Sequence, residues 1–358
     1  MRLIEPLGLF GGSDAEAAIA AGTALPLAGG PLAFSLVRLL PDPRPLPIGA
    51  VPQAWLEPLA RLTRPPASDP ARTDGSASRP EVMGVLNVTP DSFSDGGDHL
   101  DPARAVAAGL AMVAAGAAIV DVGGESARPG AALTPPEIEQ ARIMPVIRDL
   151  ARQGVRVSVD TRNAATMERA LEAGAAMVND ISALAHDPSS LPLLAATDVP
   201  VVLMHMRGNP ATMQREASYR DVALEVTMEL AARLAAAEEG GIARARVLLD
   251  PGIGFAKTGE HNRLLIGRLP LLLNLSCPIV VGVSRKRFLG RLTGEAEPRR
   301  RLAGSLAAAL FALTRGATVL RVHDVRETVQ ALAVWQALGG VPEWSRTVVP
   351  LPLARAAG

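Results

Sequence analysis

The sequence predicts a (β/α)8 barrel with a proline- and glycine-rich N-terminal extension, and three observations carry that expectation. From residue 81 onward, eight short apolar runs alternate with helix-length, alanine-rich segments. The runs are apolar on both faces, as strands must be when helices cover a parallel sheet. Several helical segments end in glycine just before the next strand, at Gly116, Gly154, Gly174 and Gly316, which suits a left-handed cap. Eight strand–helix pairs in about 250 residues is the size of such a barrel. The competing layout is an open doubly wound sheet, but no G-x-G-x-x-G follows the first strand.

In chain order the expected strands are "VMGVLNV" (82–88), "AAIVDVG" (117–123), "VRVSVD" (155–160), "AAMVND" (175–180), "VPVVLMH" (199–205), "ARVLLD" (245–250), "PIVVGVS" (278–284) and "ATVLRVHD" (317–324). Helices are expected at roughly 101–116, 135–153, 163–174, 188–197, 218–240, 260–269, 297–315 and 325–338. Residues 1–80 differ from this pattern. They are proline-rich and close with "RPPASDPARTDGSASRP", a linker composition. Within them "AEAAIAAGTALPLAGGPLAFSLVRLL" reads as one short helix and a strand or second helix. The expected organisation is a partly ordered extension over 1–80 with a flexible stretch from about 64, a barrel over 81–345 and a tail over 346–358.

Composition narrows the function classes. Acidic and basic residues balance at 36 each, which argues against general nucleic-acid or membrane-surface binding while leaving a local anion site open. Cys277 is the only cysteine, so no intrachain disulfide forms and a reducing compartment fits best. The start lacks the basic and apolar regions of a signal peptide, and no uninterrupted run of about 18 apolar residues suggests a membrane span. A cytoplasmic enzyme is the expectation.

In a barrel the C-terminal ends of all strands converge on one mouth, where chemistry sits. The residues closing these strands are Asn87, Asp121, Asp160, Asn179 with Asp180, His205, Asp250, Ser284, and Arg321 with His323. One polar residue at a strand end is usually a cap or turn former; a polar group on nearly every strand points to a site. The loop "NVTPDSFSDGG" exceeds the usual 2–6 residues of a βα connection. In it Asn87 offers a carbonyl oxygen to a hard cation or a phosphate-bound Mg²⁺, and Phe93 suits a loop that closes over something flat. An ordinary Asx-turn loop is the alternative. After strand two, Gly123 and Gly124 permit close backbone approach and Arg128 is a candidate anion ligand, or else a plain surface arginine.

Asp160, Asn179 and Asp250 form a different set. Carboxylates and an amide facing a ring with adjacent N–H donors would read an aminopyrimidine edge; pairing with neighbouring basic residues is the alternative. "DPGIGFAKTGEHN" brings Gly254, which leaves room for a planar ligand, and Phe255, which lines its face. "GVSRKRFLG" supplies Lys286 between Arg285 and Arg287. Arg321 and His323, two apart on one strand, share a face near the last two strands, where barrels often bind phosphate. Cationic groups on one side and a carboxylate–amide set deeper inside imply a ligand in two parts: a flat nitrogen heterocycle and an anionic leaving group.

With these motifs assembled, the chain resembles dihydropteroate synthase. "NVTPDSFSDGG", "DVGGESARPGA", "SVDT", "VNDI", "MHMRGNPATMQ", "DPGIGFAKTGEHN", "GVSRKRFLG" and "RVHD" look like that family's successive motifs, in order, across about residues 81–338. The resemblance implies condensation of 6-hydroxymethyl-7,8-dihydropterin pyrophosphate with p-aminobenzoate in folate biosynthesis. It implies a pterin edge held by Asp160, Asn179, Asp250 and Lys286, with Gly254 and Phe255 beside it. Asn87 would take Mg²⁺ and the pyrophosphate, with Arg128, Arg321 and His323 as anion contacts, and Asp160, Lys286 and Asn87 would carry the chemistry. Phe93, Pro129, Ser126 and Arg287 would enclose p-aminobenzoate. It further implies a homodimer formed through late helices and a sulfonamide target. Two departures bear on p-aminobenzoate affinity and sulfonamide sensitivity: Ala127 stands where the family usually has Thr, and Arg287 where it often has Ser. A pterin-binding methyltransferase domain is the main rival, and a non-catalytic binding subunit is a rival of another class. "SRK" and the long loops after strands one and two favour the synthase.

Overall fold

The computed structural model describes residues 1–65, 80–89, 101–126 and 134–338. The chain starts in a small antiparallel sheet. Strand β1 (Ile4–Phe10) pairs with β3 (Ala33–Leu39), which also holds β2 (Leu25–Pro26) and β4 (Pro45–Pro47). Helices α1 (Ser13–Ala20) and α2 (Leu56–Thr63) accompany it. Of the short helix and the strand or second helix read from sequence, the helix is α1 and the second element is the strand β3, whereas β1 escapes that reading because Pro6 and Gly8 interrupt a strand pattern. Both residues have a place: β1 is an edge strand, where proline's missing N–H costs little. Gly8, at φ 61°, stands opposite Ser35 between the pairs Leu7↔Leu36 and Leu9↔Phe34, and a Cβ there would sit 2.8 Å from Ser35 Oγ.

This unit is fastened to the barrel through buried polar groups. The Asn274 side chain accepts from the Ile4 N–H at 3.0 Å and donates to the Ile4 carbonyl at 2.8 Å, standing in for a neighbouring strand. Arg268 bridges Glu5 of β1 and Asp221, with 2.7 Å to Asp221 Oδ1. Asn274→Leu strands both Ile4 groups in an apolar contact, at about 1–3 kcal/mol each. A lower urea midpoint with unchanged activity is the expected result; an unchanged midpoint would show that the amide does not fasten the unit.

The barrel follows, with β5 (Glu81–Asn87), β6 (Ile119–Gly123), β7 (Val157–Asp160), β8 (Met177–Asp180), β9 (Val201–Met204), β10 (Val247–Asp250), β11 (Val280–Val281) and β12 (Val319–Val322). They pair in parallel in the order β10-β9-β8-β7-β6-β5-β12-β11, and a parallel bridge between Leu249 and Ile279 closes the ring. Between them run α3 (Pro102–Ala114), α4 (Pro136–Arg152), α5 (Ala164–Glu172), α6 (Ser190–Ala195), α7 (Val222–Glu239), α8 (Gly259–Gly267), α9 (Arg287–Thr293), α10 (Leu302–Leu313) and α11 (Val325–Ala337). All eight expected strands and all eight expected helices are present. The short α9 is an addition, too brief to show a helical apolar repeat. Gly116, Gly154, Gly174 and Gly316 take φ of 103°, 77°, 105° and 91°, as helix-ending glycines should. No described helix is long and apolar enough to cross a membrane.

Two apolar layers hold the barrel. Outward side chains such as Val120, Val157, Val178 and Leu249 pack under the helices. Inward, Met83, Ile119, Met177, Val202, Leu248, Val280 and Val319 form a separate plug. Filling the barrel this way makes it a packed core rather than a pore.

Candidate active site

The plug sets the floor of the site through strand periodicity. Residues two positions on share a face, so the plug residues are followed inside the barrel by Asp121, Asn179, Asp250 and Arg321. Ser158 and Asp160 share the inward face of β7, and Asn87 and His323 reach one step further up β5 and β12. Register agrees: Asn87 lies beside Gly123, Gly123 beside Asp160, and Asp160 beside Asn179. Asp180 and His205 fall on the opposite parity. They do not join the rim that strand-end reading gave them. Asp180 instead accepts from Ser182 and from the Leu184 N–H at 2.9 Å, shaping a turn.

Ion pairing organises the floor. Arg321 Nε donates to Asp121 Oδ2 at 2.6 Å and its Nη2 to Asp160 Oδ2 at 2.5 Å. Asn179 Nδ2 donates to the same Asp121 oxygen at 3.0 Å. The other Asp121 oxygen is buried without a partner among the described residues. Such an acceptor in the floor of a cup calls for an N–H donor or water. Two carboxylates share one guanidinium, and burial drives Asp160 up to about 7 against the pull of Arg321, with Asp121 adding to the rise. Asp250 is likewise raised by burial, opposed chiefly by Lys286.

Lys286 stands over this floor from the seventh strand. Its ammonium donates to the Ile253 carbonyl and lies 4.4 Å from the centre of the Phe255 ring. Burial lowers it to about 8, with Asp250 opposing. The loop leaving β10 is shaped by Gly252, at φ 67°: a Cβ there would sit 1.9 Å from the His205 carbonyl oxygen. At Gly254 a Cβ would lie 3.0 Å from Lys286 Cδ, so the absent side chain leaves the lysine its position. At the eighth strand, the His323 N–H donates to Ser284 Oγ at 3.2 Å and its ring Nδ1 meets the same hydroxyl at 3.1 Å. Burial first, then Arg285 and Arg321, hold His323 down to about 3. It is therefore a neutral partner beside the Arg321 cation.

The structure thus gathers Asn87, Asp160, Asn179, Asp250, Lys286, Gly254, Phe255, Arg321 and His323 at one end of the barrel. Ser126 lies half-buried at the exit of β6 and Arg287 is the exposed first residue of α9. Phe93, Arg128, Pro129 and Ala127 lie outside the described residues. Asp121, to which sequence reading gave no role, is the hub of the floor. Its signal was present in its parity with Ile119, but its partners are far away in the chain.

Comparison with known proteins agrees with this chemistry. The sequence model of the pterin binding enzymes matches residues 83–323. A dihydropteroate synthase of Mycobacterium leprae is 51% identical over 261 residues, covering 71% of this chain and 92% of that protein. The Escherichia coli dihydropteroate synthase is 47% identical, with 73% and 92% covered. Xanthomonas albilineans dihydropteroate synthase with 4-aminobenzoic acid overlays with a TM-score of 0.70 at 50% identity, covering 74% of this chain and 94% of that one. The X. albilineans enzyme in complex with 7,8-dihydropteroate gives 0.67 at 48% identity, with 74% and 95% covered.

Proposed function

The chain belongs to the pterin binding enzymes, within the dihydropteroate synthase family, and on that premise we propose how its residues condense 6-hydroxymethyl-7,8-dihydropterin pyrophosphate with p-aminobenzoate to 7,8-dihydropteroate and pyrophosphate. The observation that carries the assignment of residues is the floor of the cup, where Arg321 joins Asp121 to Asp160 and Asn179 donates to Asp121, with Lys286 above. A carboxylate accepts parallel N–H bonds from a guanidine-like edge, and an amide both donates and accepts. Asp160, Asn179 and Asp250 take the pterin edge in this reading, and Phe255 and Lys286 cover its face.

The reaction breaks the C–O bond between the pterin methylene and pyrophosphate, whose oxygen keeps the electron pair. The methylene cation is delocalised into the pterin ring, where the ionised carboxylates of Asp160 and Asp250 stabilise it. The arylamine nitrogen attacks the methylene carbon and then gives up its proton. Arg321 and His323, on the strand-eight side, receive the departing pyrophosphate, with Arg128 as a further anion contact. Ser126, Arg287, Phe93 and Pro129 are proposed around p-aminobenzoate.

Magnesium belongs to this proposal. Among the described residues no group of three His, Cys, Asp or Glu side chains is arranged to hold a metal. A hard cation that takes most of its oxygens from pyrophosphate and water needs few protein ligands, and the half-buried Asn87 amide oxygen at the end of β5 suits it. Bound there, the ion would neutralise charge on the leaving group. The proposal extends to a cytoplasmic homodimer: Phe311, Val334 and Leu338 leave an exposed apolar face on the last two helices, and the sole cysteine is buried.

Two measurements test the reading. Pyrophosphate release is expected only with both pterin pyrophosphate and p-aminobenzoate present, and to stop on chelation of magnesium. No release under any condition would favour the methyltransferase rival. The pH profile of kcat/KM is expected to be a narrow bell. Asp160 must be ionised, so activity falls as pH drops through about 7. Lys286 must keep its proton, so activity also falls as pH rises through about 8. A flat profile across this range would contradict both roles.

A further inference from the structure

Behind the cup, on the outward side of the strand ends, a second set of titratable side chains forms a connected line. Lys257 is 3% exposed, and its Nζ donates to the Phe255 carbonyl at 3.0 Å and to His205 Nδ1 at 2.9 Å. His205 Nε2 meets Glu229 Oε2 at 2.9 Å, and Arg207 Nε donates to Glu229 Oε1 at 3.0 Å. Counting protons fixes the tautomer: a lysine ammonium only donates, so Nδ1 accepts and Nε2–H donates to Glu229. A neutral His205 is consistent with that, since burial and the Lys257 charge hold it down to about 4. Glu229, pulled to about 2 against burial by its bonds to His205 and Arg207, is the fixed anion of the line.

We propose that Lys257 is a positioning residue for the pterin site, bracing the loop from Asp250 to Phe255, while His205 and Glu229 hold the ammonium in place. The inference rests on the pterin reading above, and Lys257 itself touches no ligand. The loop wraps this lysine closely: a Cβ on Gly252 would lie 3.4 Å from Nζ. Lys257 joins Lys286 and Arg321 among the charges that oppose burial at Asp250. The groups facing Lys257 are His205, Glu229 and Arg207, the Tyr219 ring at 5.9 Å, and Asp250 and Lys286 across the loop. His261, whose pKa is lowered by burial and then by the lysine, packs edge-on to Tyr219, 5.1 Å from that ring. Burial brings Lys257 down to about 7, with Asp250 opposing. Its charge is therefore present in mild acid and lost above neutrality. Removing it loosens the loop, but only in the pH range where the charge existed.

The test is 6-hydroxymethylpterin binding by calorimetry, in the whole chain, at about pH 6 and pH 9. Lys257→Met is expected to bind about tenfold more weakly than wild type at the lower pH, where the ammonium braces the loop, and within about threefold at the higher pH, about 1.4 kcal/mol being a factor of ten. Comparing each variant with wild type at the same pH cancels the titration of Lys286 and of the pterin. His205→Gln keeps an amide able to accept from Lys257 and donate to Glu229, so it should stay near wild type, whereas His205→Leu should lose binding as Lys257→Met does. A loss independent of pH, no loss, or equal losses in both His205 variants overturns the proposal. The His205 pair decides alone if Lys257→Met does not fold. Wild type failing to bind pterin would sink the pterin reading itself, a result distinct from any of these.

Discussion

Asp250→Ala is expected to lower kcat/KM by about a thousandfold, with the loss concentrated in the pterin substrate. The carboxylate is buried at the floor of the cup and, ionised, accepts two N–H bonds from the pterin edge in the proposed pose. Hydrogen bonds to a charged group contribute about 1.5–3 kcal/mol each, and about 1.4 kcal/mol corresponds to a factor of ten. Two such bonds give a loss of about 10²–10⁴. The substitution also removes the main opposition to burial at Lys286, which already sits at about 8. Its pKa falls further, and at neutral pH the site loses a cation along with an anion. Asp250→Asn keeps the shape but turns an N–H toward the donors of the pterin, so it should be nearly as damaged. Steady-state kinetics with each substrate varied in turn decides the point. Losses below tenfold, or equal shifts in the KM of p-aminobenzoate and pterin, would show that Asp250 does not read the pterin.

Arg321→Met should have the largest effect on the folded state. Among the described residues, Arg321 is the one cation bonded to both Asp121 and Asp160 in the floor. Breaking a buried pair by removing one partner costs about 3–5 kcal/mol, because the remaining charge is left uncompensated. Here two carboxylates are left. The folded protein relieves the strain by binding a proton, so the Asp160 pKa, which burial already raises to about 7 against Arg321, rises further above its unfolded value. Stability gained from that protonation is present at low pH and lost as pH rises through the folded-state values. The variant should therefore recover part of its lost stability as pH falls toward about 5, where wild type gains less. Denaturation midpoints measured across pH check this; a loss equal at all pH values would mean that the carboxylates do not depend on Arg321. Ligand binding gives an independent reading: the pyrophosphate ester should weaken far more than free 6-hydroxymethylpterin. Equal losses for both would remove Arg321 from the pyrophosphate clamp.

Much of this molecule is legible in its sequence for local reasons. The barrel strands are short apolar runs, the helices between them have room for several turns, and glycines at 116, 154, 174 and 316 stop four of them. Those features depend on neighbours a few residues apart. The same is true of the motifs that suggested a pterin and a pyrophosphate, since each lies within one strand–loop segment. Local reading failed where a residue's meaning depends on which way it faces. Asp180 and His205 end strands just as Asn179 and Met204 do, yet one position of parity sends them away from the cup. It also failed at β1, where Pro6 and Gly8 hide an edge strand whose partner lies about thirty residues on.

The amino-acid order alone therefore determined the architecture, the mouth of the barrel and the kinds of groups delivered there, because periodicity and helix stops act over one or two turns of chain. Only the closed barrel decided how those groups pair. Arg321 meets Asp121 across 200 residues, Lys257 meets His205 across 52, and Asn274 meets Ile4 across 270. Such contacts fix which carboxylate shares a cation, which histidine stays neutral and which lysine titrates near neutrality. The physical reason is that desolvation and Coulomb interactions depend on distance in space and not on distance along the chain.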